Sequence, residues 1–496
     1  MTRRIPTFVT AGIAAMGLPI GGCVLSGKGL DFPKSPALRA PGHLAYDVDR
    51  NGVVDFHVRA DERGRMDLLC YDDDEDGVED RVFRLHEYPP ERVPHLIILL
   101  DSIPFEPAAA RAAASEWTWF DEPRKVIPPF PTMSGLIFTQ LLHAPPLGGA
   151  INQYYDRAVG KRQDRIMARA NGDKNPWERR LHYRLKYWEN GLSFLRPRAC
   201  FQTELARVRL ALNDSPDRVT IVYVASTAGM VSKHGMDGLN EVLDGLEQLC
   251  VNILHERRGA IKISVVADHG HNFIAGSRID LPALLKSRGF SPGDRLLDDA
   301  DVVVELDGLL NYAGIHTRQP ARVADALCAI PEIDMAMYQE GERVMIQTSA
   351  GRACIEHRSG FFRYVAIDGD VLDYEPLIDR LRATGSLDPE GYASDRDWFD
   401  ATVDHRWPDA PRRAWDAFHG AIVSTPDVMV TTAPGYFVGL SSMERYITML
   451  STHGGFDQID SAAVLFTMTG RAPGPLRSSE VLPTIEPTFD PDRKPR

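Results

Sequence analysis

Three apolar runs limit what this chain can fold into more than any other feature of its sequence. "HLIILLDS" (95–102), "RVTIVYVAS" (218–226) and "AIKISVVADHG" (260–270) are apolar at nearly every position before they end. A strand with one wet face alternates, so a continuous run needs cover on both faces, as in parallel sheets flanked by helices. Between the second and third runs, Leu239, Val242, Leu243, Leu246, Leu249, Ile253 and Leu254 recur at helical spacing, which makes a strand–helix–strand crossover. The expected fold class is therefore α/β, with a doubly wound, mostly parallel central sheet. Such sheets collect ligands beyond the carboxyl ends of their strands, where Asp101 and the pair Asp268–His269 fall. The second run leads instead into "STAGMVSKHG" (226–235), which reads as a loop of small residues that brings no carboxylate.

A chain of 496 residues, 44% of them hydrophobic, can bury a large core and more than one unit. Its net charge of −13 leaves no basic stripe to follow a phosphate backbone, so no nucleic acid polymer is expected as a partner. A small anionic substrate stays compatible with this charge if a metal ion supplies local positive potential. Nothing in the sequence fixes the oligomeric state.

Residues 1–22 read as an address: Arg3 and Arg4, an apolar stretch from Ile5 to Ile20, then "IGGC" ending at Cys23. The pattern resembles a bacterial lipoprotein signal. That resemblance implies removal of residues 1–22, lipidation of Cys23, and an exported protein held at the cell envelope, periplasmic or surface, by a membrane anchor. An ordinary cleaved signal or a frayed apolar start is the alternative. The remaining cysteines, Cys70, Cys200, Cys250, Cys328 and Cys354, form no C-x-x-C pair and no Cys/His cluster at zinc spacing, so no thiolate metal site is expected.

Residues 23–90 hold a repeat. "YDVDRNGVVDFHV" (46–58) returns as "YDDDEDGVEDRVF" (71–83), matching Asp47, Asp49, Asn51, Gly52 and Asp55 with Asp72, Asp74, Asp76, Gly77 and Asp80. Oxygen side chains at alternate positions before a glycine suit a hard cation, and the pattern resembles the calcium loops of secreted proteins. It lacks the bidentate Glu of an EF-hand, since Val58 and Phe83 hold the twelfth positions. The flanking segments read as strands, and Asn-Gly and Asp-Gly are hairpin turns in their own right. Weak calcium loops and plain acidic hairpin tips are both consistent with these residues.

Four motifs in the later chain carry a wider resemblance. "LIILLDS", "PPFPTMSG", "VVADHG" and "STHGGFDQIDSAAVLFTMTG", in that order and each at the edge of a strand-like run, resemble the alkaline phosphatase superfamily, in particular its type I phosphodiesterase/nucleotide pyrophosphatase branch. The resemblance covers 94–275 and 441–490, which would form the catalytic core of alkaline-phosphatase type. Residues 276–440 would be a cap or insert that shapes the substrate pocket. It implies a metal-dependent phosphoester hydrolase or phosphotransferase acting on a small phosphoester substrate. Ser134 would be the nucleophile, with Thr132 the other hydroxyl of the loop. Asp101, Ser134, Asp268 and His269 would hold one divalent ion, zinc or manganese, and His453 would be the late metal histidine.

One part of the family pattern is missing. Relatives with two ions carry Asp and His in a loop resembling "STDxxxH", whereas alignment on Ser226–Thr227 places Ala228 and Ser232 at those positions. A methyl and a hydroxyl cannot replace a carboxylate and an imidazole as ligands. Three classes of protein therefore fit: a largely single-ion enzyme, a two-ion enzyme whose second loop lies elsewhere, and a catalytically silent lipoprotein that keeps the scaffold for binding or structure. The single-ion enzyme is the preferred expectation. Segment 151–200, with "NPWERRLHYRLKYWENGL", reads as helical, its aromatic residues serving core or cap packing.

Overall fold

The computed structural model describes residues 29–306, 308–441, 449–492 and 495. The proposed lipidation residue Cys23 and the whole of 1–22 lie outside them.

The chain begins as a five-stranded antiparallel meander: β1 (Leu38–Ala40), β2 (His43–Tyr46), β3 (Phe56–Ala60), β4 (Met66–Tyr71) and β5 (Arg81–Arg84), paired in that order. Each Asp-rich repeat forms a hairpin tip, one between β2 and β3, the other between β4 and β5. Gly52 and Gly77 sit at the turns with φ of 96° and 87°, where a Cβ would be strained.

The next strands are β6 (His95–Leu100), β7 (Arg124–Ile127), β8 (Val219–Val224), β9 (Lys262–Ala267), β10 (Ala463–Thr467) and β11 (Leu476–Arg477). They form one sheet in the order β8–β6–β9–β10–β7–β11. The pairs β8–β6, β6–β9 and β7–β11 are parallel, and β10 runs against both its neighbours. All residues of β6 and β9 are buried, the condition their unbroken apolar runs require. The architecture is α/β with a mostly parallel central sheet. Its main helices are α1 (Phe105–Ala114), α2 (Ser134–Leu141), α3 (Tyr187–Leu195), α4 (Pro197–Asp214), α5 (Ser226–Glu256) and α6 (Ser478–Ile485).

The small-residue loop expected at 226–235 is instead the first part of α5, which bends at Gly235 (φ 57°, ψ −134°). Two features explain the helix. The buried Glu204 of α4 accepts hydrogen bonds from the backbone N–H groups of Ala225 (3.3 Å) and Ser226 (2.8 Å), so a carboxylate from another helix caps the first turn. Small residues then let α3 approach: a Cβ on Gly229 would lie 2.3 Å from the Ser193 carbonyl oxygen. Segment 151–200 also differs from expectation. Only a 3₁₀ turn (Pro176–Arg180) and α3 follow the helical reading of "NPWERRLHYRLKYWENGL", while Tyr183 bridges to Val222 beside β8.

Residues 291–432 supply a nine-stranded, mainly antiparallel sheet, in which Val428–Thr432 returns to lie between Tyr312–Thr317 and Ile333–Glu340. Its side chains separate by the two-residue strand period. Met335, Met337, Val344 and Ile346 face one core, shared with Phe130, Met133 and Phe456 of the loops beside the central sheet. Ala336, Tyr338 and Met345 face another, which includes Val323 and Leu327 of the helix Pro320–Cys328. Cys70, Cys200, Cys250, Cys328 and Cys354 are buried and unpaired.

Candidate active site

The register of the central sheet builds the site. Leu100 pairs with Ala267 in the parallel ladder, so the next residues, Asp101 and Asp268, leave the sheet side by side. Ser102, in the left-handed region at φ 68°, joins the two: its Oγ donates to Asp101 Oδ1 (2.8 Å) and its N–H to Asp268 Oδ1 (2.9 Å). Such a backbone conformation is uncommon for a residue other than glycine and is found at constrained functional positions. Thr227 at the start of α5 donates its hydroxyl to the Asp101 carbonyl (2.7 Å), and Tyr223 of β8 donates to Asp101 Oδ2.

Asp101, Asp268 and His269 are buried and can present three ligand atoms within 4.8 Å of one another. His269 Nδ1 lies 2.9 Å from the Gly270 carbonyl, an acceptor, so Nδ1 donates there and Nε2 is the ring nitrogen turned toward the carboxylates. Nε2 is 3.4 Å from Asp268 Oδ2 and 3.8 Å from Asp101 Oδ1. Asp268 Oδ2 is buried with no hydrogen-bond partner. Burial, reinforced by the neighbouring Asp101 charge, pushes the Asp268 carboxyl up to about 7. Two carboxylates and an imidazole, one oxygen orphaned, form a donor set suited to a divalent ion such as zinc or manganese.

Ser134 opens α2, with its Oγ 3.5 Å from His269 Nε2. Thr132 is fully buried and its hydroxyl donates to the Gly455 carbonyl (2.7 Å) while accepting from Arg413, so it is already engaged away from the carboxylates. Arg413, on a helix of the 276–440 segment, also donates to the Phe456 carbonyl (2.8 Å) and Ser461 Oγ (2.6 Å). Segment 276–440 thus helps hold both the serine loop and the late histidine loop.

His453 stacks on His269 and does not belong to the three-residue group. Ala228 lines the same cavity. Ser232 faces His271, a residue the sequence reading passed over although it lies two positions after His269 in "DHGHN". His271 is fully buried; its Nδ1 meets Ser451 Oγ, and its Nε2 lies 3.5 Å from Ser232 Oγ. Burial holds both His271 and His453 well below the usual imidazole value. The roles of Tyr223, Thr227 and Ser102 were also missed: the pairing of β8 with β6 brings Tyr223 to Asp101, the start of α5 brings Thr227, and Ser102, although next in sequence, turns its hydroxyl back onto Asp101.

Of the Asp-rich tips, Asp72, Asp74 and Asp80 gather carboxylate oxygens within 4.8 Å, and Asp72 Oδ1 is buried without a partner. Among the described residues, Asp47, Asp49 and Asp55 form no such group; Asp47 accepts from the N–H groups of Asn51 and Gly52, and Asp55 from that of Val48. Asn51 Nδ2 donates to Glu75 (2.6 Å), so the two tips touch.

No protein-family model and no curated protein matches the chain. Solved structures with a similar course include phosphonoacetate hydrolase from Sinorhizobium meliloti 1021 in complex with phosphonoformate, at 12% identity and a TM-score of 0.42, covering 81% of this chain and 95% of that one. Murine ectonucleotide pyrophosphatase / phosphodiesterase 5 matches at 11% identity and a TM-score of 0.42, covering 79% and 94%. Its human counterpart matches at 11% and 0.39, covering 79% and 93%.

Proposed function

We propose that this protein is a metal-dependent enzyme of phosphoester bonds, a hydrolase or phosphotransferase of alkaline-phosphatase type with one principal ion and Ser134 as nucleophile. The observation that carries this reading is the convergence of Asp101, Asp268 and His269 beside the hydroxyl of Ser134. A divalent cation held by these three residues would supply Lewis-acid charge that lowers the pKa of a nearby hydroxyl.

The chain's own groups account for the rest. Ser134 Oγ would attack phosphorus and break the bond to the leaving oxygen, forming a phosphoseryl intermediate that water or an acceptor alcohol then resolves. The first backbone N–H groups of α2 would bind the phosphoryl oxygens, with the helix dipole favouring their charge. Ser102 and Tyr223 hold the Asp101 carboxylate in place, and Gly270 fixes the tautomer of His269.

The test is metal content per chain together with turnover of nitrophenyl phosphate and bis-nitrophenyl phosphate. About one tightly held ion with turnover, both lost in Asp268→Ala, supports this reading. An inert protein with every divalent metal overturns it in favour of the silent scaffold.

The same proposal includes an envelope location through lipidated Cys23 and weak structural calcium at the tip formed by Asp72, Asp74 and Asp80. Among the described residues no helix is long and apolar enough to cross a membrane. Cys23→Ala should move the protein from the membrane to the soluble fraction; unchanged membrane association would remove lipidation as the anchor.

A further inference from the structure

The cavity that contains Asp101 and Ser134 encloses about 290 Å³ and extends to a second wall, where Arg169, Trp177 and Arg184 line it. Arg169 and Trp177 are 5% and 4% exposed. Arg169 is bound to both oxygens of Glu178 and donates to the Asp173 carbonyl (2.9 Å), yet its Nε has no partner. The indole N–H of Trp177 also has none. Arg184 stands 3.1 Å from the same Glu178 and donates to the Leu185 carbonyl (2.8 Å).

One buried carboxylate therefore faces two guanidiniums, and Glu178 also accepts from the Asn175 N–H (2.6 Å). The nearby Arg165 is matched by Asp173 and Asn175. The second wall thus carries an excess of positive charge and two N–H donors without acceptors. Burial holds Arg184 below the usual guanidinium value, with Glu178 opposing and Arg169 adding to the shift. Buried donors without acceptors and unbalanced buried charge are both unfavourable, and a bound anion relieves both. Guanidinium forks suit carboxylate and phosphate oxygens in particular.

This wall is tied to the reacting end. The Trp177 ring packs against Phe138 of α2 (centroids 5.1 Å) and Tyr223 (5.8 Å), and Tyr223 donates to Asp101. We propose that the substrate carries a second anionic group, a carboxylate or phosphate, which binds Arg169, Arg184 and the Trp177 indole while the phosphoester lies at Ser134. This inference rests on the phosphoester reading above, and it narrows the substrate class to doubly anionic molecules.

Titration calorimetry on the metal-loaded protein tests it without turnover. The probes are ω-carboxyalkylphosphonates and α,ω-alkyldiphosphonates of increasing length, each compared with the plain alkylphosphonate of equal length. At one spacer length the doubly anionic probe should bind at least about tenfold more tightly, and the better of the two series identifies the anion. Arg184→Ala should bring that ratio close to one. Arg184→Lys, which keeps the charge and loses the fork, and Trp177→Phe, which removes one N–H, should each lower it. Ratios within twofold at every length in the unmodified protein, or a preference that survives all three substitutions, overturn the proposal. An Arg184-dependent preference in a protein that turns over no phosphoester keeps the second anion site and overturns the nucleophile reading instead.

Discussion

The ring of His453 lies flat on the ring of His269, with centroids 3.9 Å apart and 17° between their planes. His453 Nδ1 lies 3.2 Å from the Thr132 carbonyl, which can only accept, so the imidazole donates to it and ties the late loop to the backbone of the serine loop. The Asn311 N–H holds the His453 carbonyl from the other side (2.8 Å). The buried group of Asp101, Asp268 and His269 can present three ligand atoms without this ring. His453→Phe, which keeps a flat ring and loses both nitrogens, should therefore retain about one ion per chain by atomic emission while turnover falls. Loss of the ion in this variant would make His453 a ligand.

Ser134 and Thr132 separate by a different measurement. Ser134→Ala should lower turnover by about a thousandfold or more, because no other hydroxyl stands beside His269 Nε2 among the described residues. Its thermal midpoint should stay close to that of the parent. Thr132→Val removes a buried hydrogen bond to the Gly455 carbonyl and should cost about 1 kcal/mol of stability. Full activity in Ser134→Ala would transfer the nucleophile to another group.

How much of this was legible follows from where each feature is encoded. Fully buried strands announce themselves as unbroken apolar runs, and the residues that end such runs in a parallel sheet are adjacent by register, so Asp101 and Asp268–His269 could be read directly. The helical start of α5 could not, because Glu204, which caps it, lies on another helix. The reversed direction of β10 was hidden because a buried antiparallel strand is as apolar as a parallel one. The arginine-lined wall was also hidden: Arg169 and Arg184 lie apart in a segment read as helical core or cap packing, and only folding places Glu178 between the two guanidiniums.

The absent second-ion ligands lead to a specific engineering outcome. His271 Nε2 stands 3.5 Å from Ser232 Oγ, so an imidazole at position 232 would meet the one already there. Ser232→His should thus lower the thermal midpoint and add no metal, the expected result of overpacking a buried site. Ala228→Asp places a carboxylate in the cavity that His453 lines and should raise metal content from about one toward two ions per chain. An unchanged stoichiometry would mean that His271 and His453 cannot serve a second ion.

The two Asp-rich tips should respond unequally to calcium. Only the second gathers three carboxylates, and its Asp72 Oδ1 lacks a partner. Calcium should raise the thermal midpoint, and Asp80→Asn should abolish most of that rise while Asp55→Asn leaves most of it. Asp55 and Asp80 each also bind backbone N–H groups of their own tips, so the calcium-free midpoints provide the baseline for each variant. Absence of any calcium-dependent shift in the parent protein would leave both tips as hairpin turns.

The β1–β5 module packs on the central core through a shared apolar cluster, and one histidine in that interface makes its docking sensitive to acid. His255, near the end of α5, has its ring centroid 4.7 Å from that of Phe56, 5.4 Å from Tyr71 and 5.9 Å from Phe32. Tyr71 Oη donates to the His255 carbonyl (3.0 Å), while the buried His255 Nδ1 has no partner. Burial, with a contribution from the Arg258 charge, lowers this imidazole from 6.5 to about 4. The folded protein therefore binds fewer protons here than the unfolded chain between those two values, and stability must fall as pH drops through that window. Above about 6.5 both states are neutral at this position and the contribution is constant. His255→Phe keeps the aromatic contacts and removes the titrating nitrogens. Its thermal midpoint should fall less steeply than that of the parent from pH 6.5 to 4, and the two slopes should match from pH 7 to 8. Parallel curves across the acid window would show that this ring titrates as freely in the folded protein as in the unfolded chain.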